Sequence, residues 1–156
     1  MLNHLEQMPN SHIARSGHYG ILNEIGNTPL VQTYCRVNGR WRAVYFKLEG
    51  YNPGGSLKDR TAASLVLDLE HRNLLKHSSI IVESTSGNLG VGLAWVCRQL
   101  GYRFLAVIDP NTTAENRRKM LSFGADLEFV KQPDVSGGPV GLGRFAYDKG
   151  DTRAVG

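Results

Sequence analysis

The sequence predicts an α/β fold, a three-layer unit on a mostly parallel four-stranded sheet. Two observations carry that prediction. Short apolar runs of strand length alternate with helix-length segments from Val44 onward, the pattern of βαβ units. The helical segments also carry start and stop signals where the alternation needs them: Thr112 and Glu115 at capping-box spacing, and Gly101 and Gly124 as stops.

Residues 1–18 read as a flexible arm and 19–43 as a lead-in segment. Val44-Tyr45-Phe46-Lys47-Leu48 is the first strand, followed by the turn residues Asn52-Pro53-Gly54-Gly55 and a helix from Leu57 to about Leu75. Ile80-Ile81-Val82 is the second strand. The Ser84 to Asn88 loop then leads into a helix that ends near Leu100. Phe104 to Ile108 is the third strand, closed by Asp109-Pro110, and Leu127 to Val130 is the fourth. Crossovers between parallel strands are right-handed in nearly all folds, which narrows the topology. Residues 44–131 thus form a small α/β domain. Residues 132–156 read as an irregular tail, because Gly137, Gly138, Gly141, Gly143 and Gly150 interrupt every period.

Composition excludes several function classes. The net charge of +4 is scattered along the chain, so it describes a solvated surface and not the basic stripe that nucleic acid requires. Even Arg117-Arg118-Lys119 falls in a predicted helix, where neighbouring side chains diverge. The two cysteines, Cys35 and Cys97, have no CxxC partner, and the histidines show no ligand spacing. No metal site or disulfide framework is therefore expected. Cys97 reads as a small core residue. Met1 to Gly17 lacks an apolar signal region, and Leu89 to Cys97 is too short to cross a bilayer. The expectation is a cytoplasmic protein with no membrane partner.

In this fold class ligands gather where strands run into helix starts, and two segments there have unusual composition. In Asn52-Pro53-Gly54-Gly55-Ser56-Leu57-Lys58-Asp59-Arg60, Ser56 and Asp59 have capping-box spacing. That places Lys58 in a first helical turn, where the dipole disfavours an ammonium. A lysine with a lowered pKa is what imine chemistry requires, although an ordinary surface lysine beside a cap fits equally well. In Glu83-Ser84-Thr85-Ser86-Gly87-Asn88-Leu89-Gly90, backbone N–H groups and the Thr85 and Ser86 hydroxyls make a site for a carboxylate or phosphate. Gly87 allows close approach of a ligand. A simple helix cap is the competing reading, but it needs fewer hydroxyls. A dinucleotide site is the other competitor. Gly87, Gly90 and Gly92 are spaced GxxGxG, the reverse of the required order. The Ser136 to Gly141 run reads as a linker, since Pro139 removes a donor.

Gly26-Asn27-Thr28-Pro29-Leu30, then the Lys58 segment, then Thr85-Ser86-Gly87-Asn88, in this order, resemble the fold-type II pyridoxal-phosphate (PLP) enzymes of the cysteine synthase group. The resemblance covers about residues 20–138. It implies the small domain of the tryptophan-synthase-β-like fold, with Lys58 as the lysine that holds the cofactor and Asn88 against its ring hydroxyl. It also implies Thr85, Ser86 and Gly87 around the carboxylate of an amino-acid substrate, and a homodimer at full length.

Cysteine synthases usually carry Thr at the place of Leu89 and Pro at that of Ser84. With Asp109-Pro110, Pro133-Asp134 and Gly137-Gly138, the 83–90 segment looks more like the N-(2-amino-2-carboxyethyl)-L-glutamate synthase branch, which supplies 2,3-diaminopropionate for siderophores. The implied reaction is β-replacement. PLP supplies the electron sink, Lys58 removes the Cα proton, O-phospho-L-serine loses phosphate, and the amine of L-glutamate adds. A cysteine synthase using O-acetylserine and sulfide is the alternative within enzymes, and a catalytically silent remnant or interaction module is the alternative outside them. Full-length members continue into a larger domain with a glycine-rich phosphate loop that this sequence does not contain. A truncated or frame-shifted reading frame is the expectation for its 139–156 end.

Overall fold

The structure is a computed structural model that describes residues 20–129 and the strand at 144–147. The readings made for the 1–18 arm, for Pro133-Asp134 and for the 136–141 run lie outside the described residues.

A two-stranded antiparallel ribbon opens the fold, β1 (Leu30–Val37) against β2 (Arg40–Lys47). Asn38 and Gly39, at φ of 49° and 78°, form the two-residue turn whose twist suits a hairpin. This corrects the reading of Val44–Leu48 as a strand of the main sheet: β2 pairs with β1 and belongs to a separate ribbon. The residues that looked like a featureless lead-in contain β1.

The helix α1 spans Lys58–His71. It stops short of the expected Leu75, because the chain turns at Arg72 and Asn73, the latter at φ 55°. Then follow β3 (Ile80–Ser84), α2 (Asn88–Leu100), β4 (Arg103–Ile108), α3 (Ala114–Ser122) and β5 (Asp126–Phe129). The α/β class holds. β3, β4 and β5 are parallel neighbours joined by helical crossovers, and Gly101 ends α2 at φ 78° as a left-handed stop. The fourth place in the sheet is taken by β6 (Arg144–Tyr147), antiparallel to β3. This strand lies in the segment read as irregular.

The core lies between the sheet and the helices. Alternate residues of β4, Phe104, Ala106 and Ile108, are buried with Val91, Leu93, Val96 and Cys97 of α2 and with Met120 of α3. Burying side chains of this size contributes about 1.5–3 kcal/mol each. Cys97 is fully buried, and desolvation pushes its thiol up to about 12, in keeping with a core role. Helix α1 packs on α2 through Ala62, Ala63 and Val66. The contact is close: a Cβ at Gly92 would stand 3.2 Å from both the Ala62 Cβ and the Lys58 carbonyl oxygen.

The basic run on α3 disperses. Arg117 lies over the Phe129 ring at 6.0 Å, and Lys119 pairs with Glu115 at 2.7 Å. The cap of α3 is Thr113, whose hydroxyl accepts from the Asn116 amide at 3.2 Å. That corrects the expected Thr112–Glu115 box by one residue, and Thr112 is buried instead. No helix among the described residues is long and apolar enough to cross a membrane. No cluster of three or more His, Cys, Asp or Glu gathers there.

Candidate active site

Lys58 is the first residue of α1 and is exposed. Its amide donates to the Ser56 hydroxyl at 3.1 Å. The expected capping box is not formed in its usual sense. The Asp59 carboxylate turns chiefly to Gly54: its Oδ2 accepts from the Gly54 N–H at 2.7 Å, which folds the Pro-Gly-Gly turn onto the helix start. Asp59 is fully buried, and its Oδ1 has no hydrogen-bond partner. Desolvation raises its pKa against the pull of the Gly54, Ser56 and Gly55 amides. A Cβ at Gly54 would stand 2.6 Å from Asp59 Oδ1, so glycine is what lets turn and carboxylate meet.

The second segment forms a compact turn at the end of β3. The Thr85 amide donates to the Val107 carbonyl at 2.9 Å, anchoring the turn to the neighbouring strand. Thr85 Oγ1 accepts from the Gly90 amide at 3.0 Å. Gly90 is packed beneath it, since a Cβ there would stand 2.5 Å from Thr85 Cγ2 and 2.8 Å from Met120 Sδ. The Ser86 carbonyl accepts from Asn116 Nδ2 at 3.2 Å, a tie to α3. Gly87 is the N-cap of α2 and supplies no side-chain cap, and Ser86 and Asn88 are exposed around it. Thr85 thus takes the third N–H of α2, that of Gly90, and the N–H groups of Asn88 and Leu89 ahead of it are the ones a ligand could meet.

The structure brings these two segments together through their helices. Gly92, against which the Lys58 carbonyl packs, is one turn along α2 from Asn88, about 6 Å of axial rise. The start of α1 thus packs on α2 one helical turn beyond Asn88. An anionic, carbonyl-bearing cofactor would find an amine at the start of α1 and hydroxyls with helix-start amides at that of α2. Lys58 and Asn88 would hold it, with Thr85, Ser86 and Gly87 facing the carboxylate of a substrate.

One set of residues was not singled out from the sequence as a unit. Glu49 accepts from Arg60 Nε at 3.0 Å and Arg60 Nη2 at 3.1 Å, from the Thr28 hydroxyl at 2.9 Å, and from Asn52 Nδ2 at 2.8 Å. The Arg60 guanidinium, aided by Asn52 and Thr28, holds the Glu49 carboxyl down at about 2 against partial desolvation. Thr28 and Glu49 are far apart in sequence, and no local pattern signals such a pairing.

A lysine at the start of α1 and a hydroxyl-bearing turn that runs from the end of β3 in the parallel sheet into α2 are the chemical features of an α/β enzyme unit. Residues 21–150 match the family of pyridoxal-phosphate dependent enzymes, and the chain belongs to that family. It is 47% identical over 107 residues to O-ureido-L-serine synthase of Streptomyces lavendulae, covering 69% of this chain and 33% of that protein. The crystal structure of an O-ureido-L-serine synthase is similar with a TM-score of 0.65 and 44% identity, over 70% of this chain and 34% of that one. A variant of a hydrogen sulfide-producing enzyme from Fusobacterium nucleatum, in complex with an alpha-aminoacrylate intermediate, is similar with a TM-score of 0.69 and 31% identity, over 77% of this chain and 35% of the other. The chain spans about a third of the length of the relatives it matches.

Proposed function

We propose that this chain is the lysine-bearing portion of a PLP-dependent β-replacement synthase, in which Lys58 holds the cofactor and moves the Cα proton of an amino-acid substrate. The observation that carries the reading is the packing of the Lys58 carbonyl on Gly92, one turn from Asn88. PLP, when bound, supplies the electron sink that makes a Cα proton removable. The residues of this chain supply the rest. The 85–88 turn orients the substrate carboxylate, Asn88 orients the cofactor ring, and Lys58 acts as the base.

For the substrates, the proposal is O-phospho-L-serine and L-glutamate, giving N-(2-amino-2-carboxyethyl)-L-glutamate; the 83–90 segment, with Ser84 and Leu89, supports it. A second reading has its own support. The identity of 47% to O-ureido-L-serine synthase favours an oxygen nucleophile at the β-carbon. A full-length assembly would be a homodimer working in the cytoplasm.

The test is a titration of the chain and of Lys58→Ala with excess PLP, followed by O-phospho-L-serine or O-acetyl-L-serine. The expected result is an absorbance change that requires Lys58, and release of phosphate in preference to acetate. Equal spectra for the two proteins would refute the role of Lys58. Preferential release of acetate would move the assignment towards the cysteine synthase alternative.

A further inference from the structure

The Lys58 amine has no hydrogen-bond or ion-pair partner among the described residues, so its position is set by the backbone of the first turn of α1 and not by contacts of its own. Two carboxylates grip that turn. Asp59 holds it from inside, through Gly54. Glu49 holds it from the outer side and reaches further, because its partners bracket Lys58 in sequence: Asn52 before it and Arg60 after it.

We propose that Glu49 is the positioning residue for Lys58: its carboxylate joins Arg60, Asn52 and Thr28 into one clamp that sets where α1 begins and hence where the lysine amine stands. The inference rests on the reading of Lys58 as the cofactor lysine.

Three features make the clamp specific. The contact with Arg60 is a two-point fork, Nε to Oε2 and Nη2 to Oε1 at 3.0 and 3.1 Å, which fixes orientation as well as distance. Arg60 follows Lys58 by two positions, about 200° around the helix, so the clamp grips the opposite side of α1 and leaves the amine clear. Finally, the Gly26 turn closes over the clamp. The Gly26 amide donates to Asn52 Oδ1 at 2.8 Å, and at φ 94° a Cβ there would stand 2.8 Å from Arg60 Nη1. The Gly26-Asn27-Thr28 segment and the Lys58 segment are therefore one device. The first is the strap and the second the part it holds.

The test is reductive trapping of the whole chain with excess pyridoxal phosphate and borohydride over a pH series, with labelled lysines mapped by mass spectrometry. Lys119 on α3 serves as internal reference, and melting is followed by circular dichroism. For Glu49→Gln, the Lys58-to-Lys119 label ratio is expected to fall about tenfold, in line with the cost of sub-ångström misplacement of a reacting group. The fall is expected across the whole pH series, with a cooperative melt retained. Arg60→Lys keeps the charge but loses the fork, and should fall as far. The double variant should fall no further than the worse single, since both act through one contact. If Glu49→Gln melts without cooperativity, Thr28→Val removes one member only, and the ratio should still fall.

An unchanged ratio in Glu49→Gln or Thr28→Val would overturn the clamp, as would losses that add in the double variant. A wild-type chain whose label does not favour Lys58 would instead overturn the cofactor reading beneath it.

Discussion

Replacing Gly92 by alanine probes the joint on which the site depends. A methyl group at Gly92 would stand 3.2 Å from the Ala62 Cβ, 3.2 Å from the Lys58 carbonyl oxygen and 3.4 Å from Asp59 Oδ1. Carbon atoms in favourable contact sit about 3.5–4.0 Å apart, so the first turn of α1 must retreat by a few tenths of an ångström. Two terms compete. Alanine in a helix interior gains about 1 kcal/mol over glycine. Overpacking a well-filled contact costs about 1–3 kcal/mol. The retreating atoms belong to backbone and to a buried carboxylate, which cannot swing aside, so the cost exceeds the gain and the net is a loss of about 1 kcal/mol. For a domain of this size that lowers the melting temperature by about 5 °C. Thermal melting by circular dichroism reads this, and borohydride trapping should show reduced Lys58 labelling. A variant that melts higher than wild type, with Lys58 labelling unchanged, would refute the close packing of α1 on α2 behind the lysine.

Gly90→Ala meets harder contacts, 2.5 Å to Thr85 Cγ2 and 2.8 Å to Met120 Sδ; it should destabilise by about 2 kcal/mol and lower the melting temperature more than Gly92→Ala does. The pH dependence of stability follows from Glu49. Its folded pKa is lowered from 4.5 to about 2, so the clamp contributes fully above 4.5 and its contribution is lost as pH falls towards about 2. Melting curves of Glu49→Gln should lack that share of the acid limb; identical acid limbs would contradict the ion pair. Iodoacetamide at mildly alkaline pH should label Cys35 and spare Cys97, whose buried thiol is pushed up to about 12; equal labelling in the folded chain would contradict the core placement.

Much of the fold was legible because its signals are local. The strands at 80–84 and 103–108, the Gly101 stop and the helix after Asn88 announce themselves through apolar runs and end residues within a few positions. What was misplaced depends on pairing. Val44–Leu48 reads as a strand, but its partner is decided by Asn38-Gly39, a two-residue turn signal passed over in a segment read as lead-in. β6 lies among glycines, and its place beside β3 is a contact across more than fifty residues that no period reveals. The cap of α3 shifted by one residue because Thr112 and Thr113 are chemically equivalent and only burial distinguishes them.

At the candidate site, the family resemblance carried by three motifs in order implied Lys58, Thr85, Ser86, Gly87 and Asn88 as a group, where residue chemistry alone left Lys58 open. The Glu49 network could not be read in that way, since an acid between a strand and a turn is commonplace until folding brings Thr28 and Arg60 to it. Asp59 illustrates the same limit. The spacing predicted a cap for Ser56, whereas the buried carboxylate takes the Gly54 N–H first, in the room that two glycines leave around it.

The central claim is that one amine in this chain is set apart from the others by its place at the start of α1. Mapping where pyridoxal phosphate is fixed by borohydride on the intact wild-type chain tests it most directly. The account predicts label concentrated on Lys58 ahead of Lys47, Lys76, Lys119, Lys131 and Lys149. Label spread evenly over these lysines, or concentrated on any other of them, would contradict it.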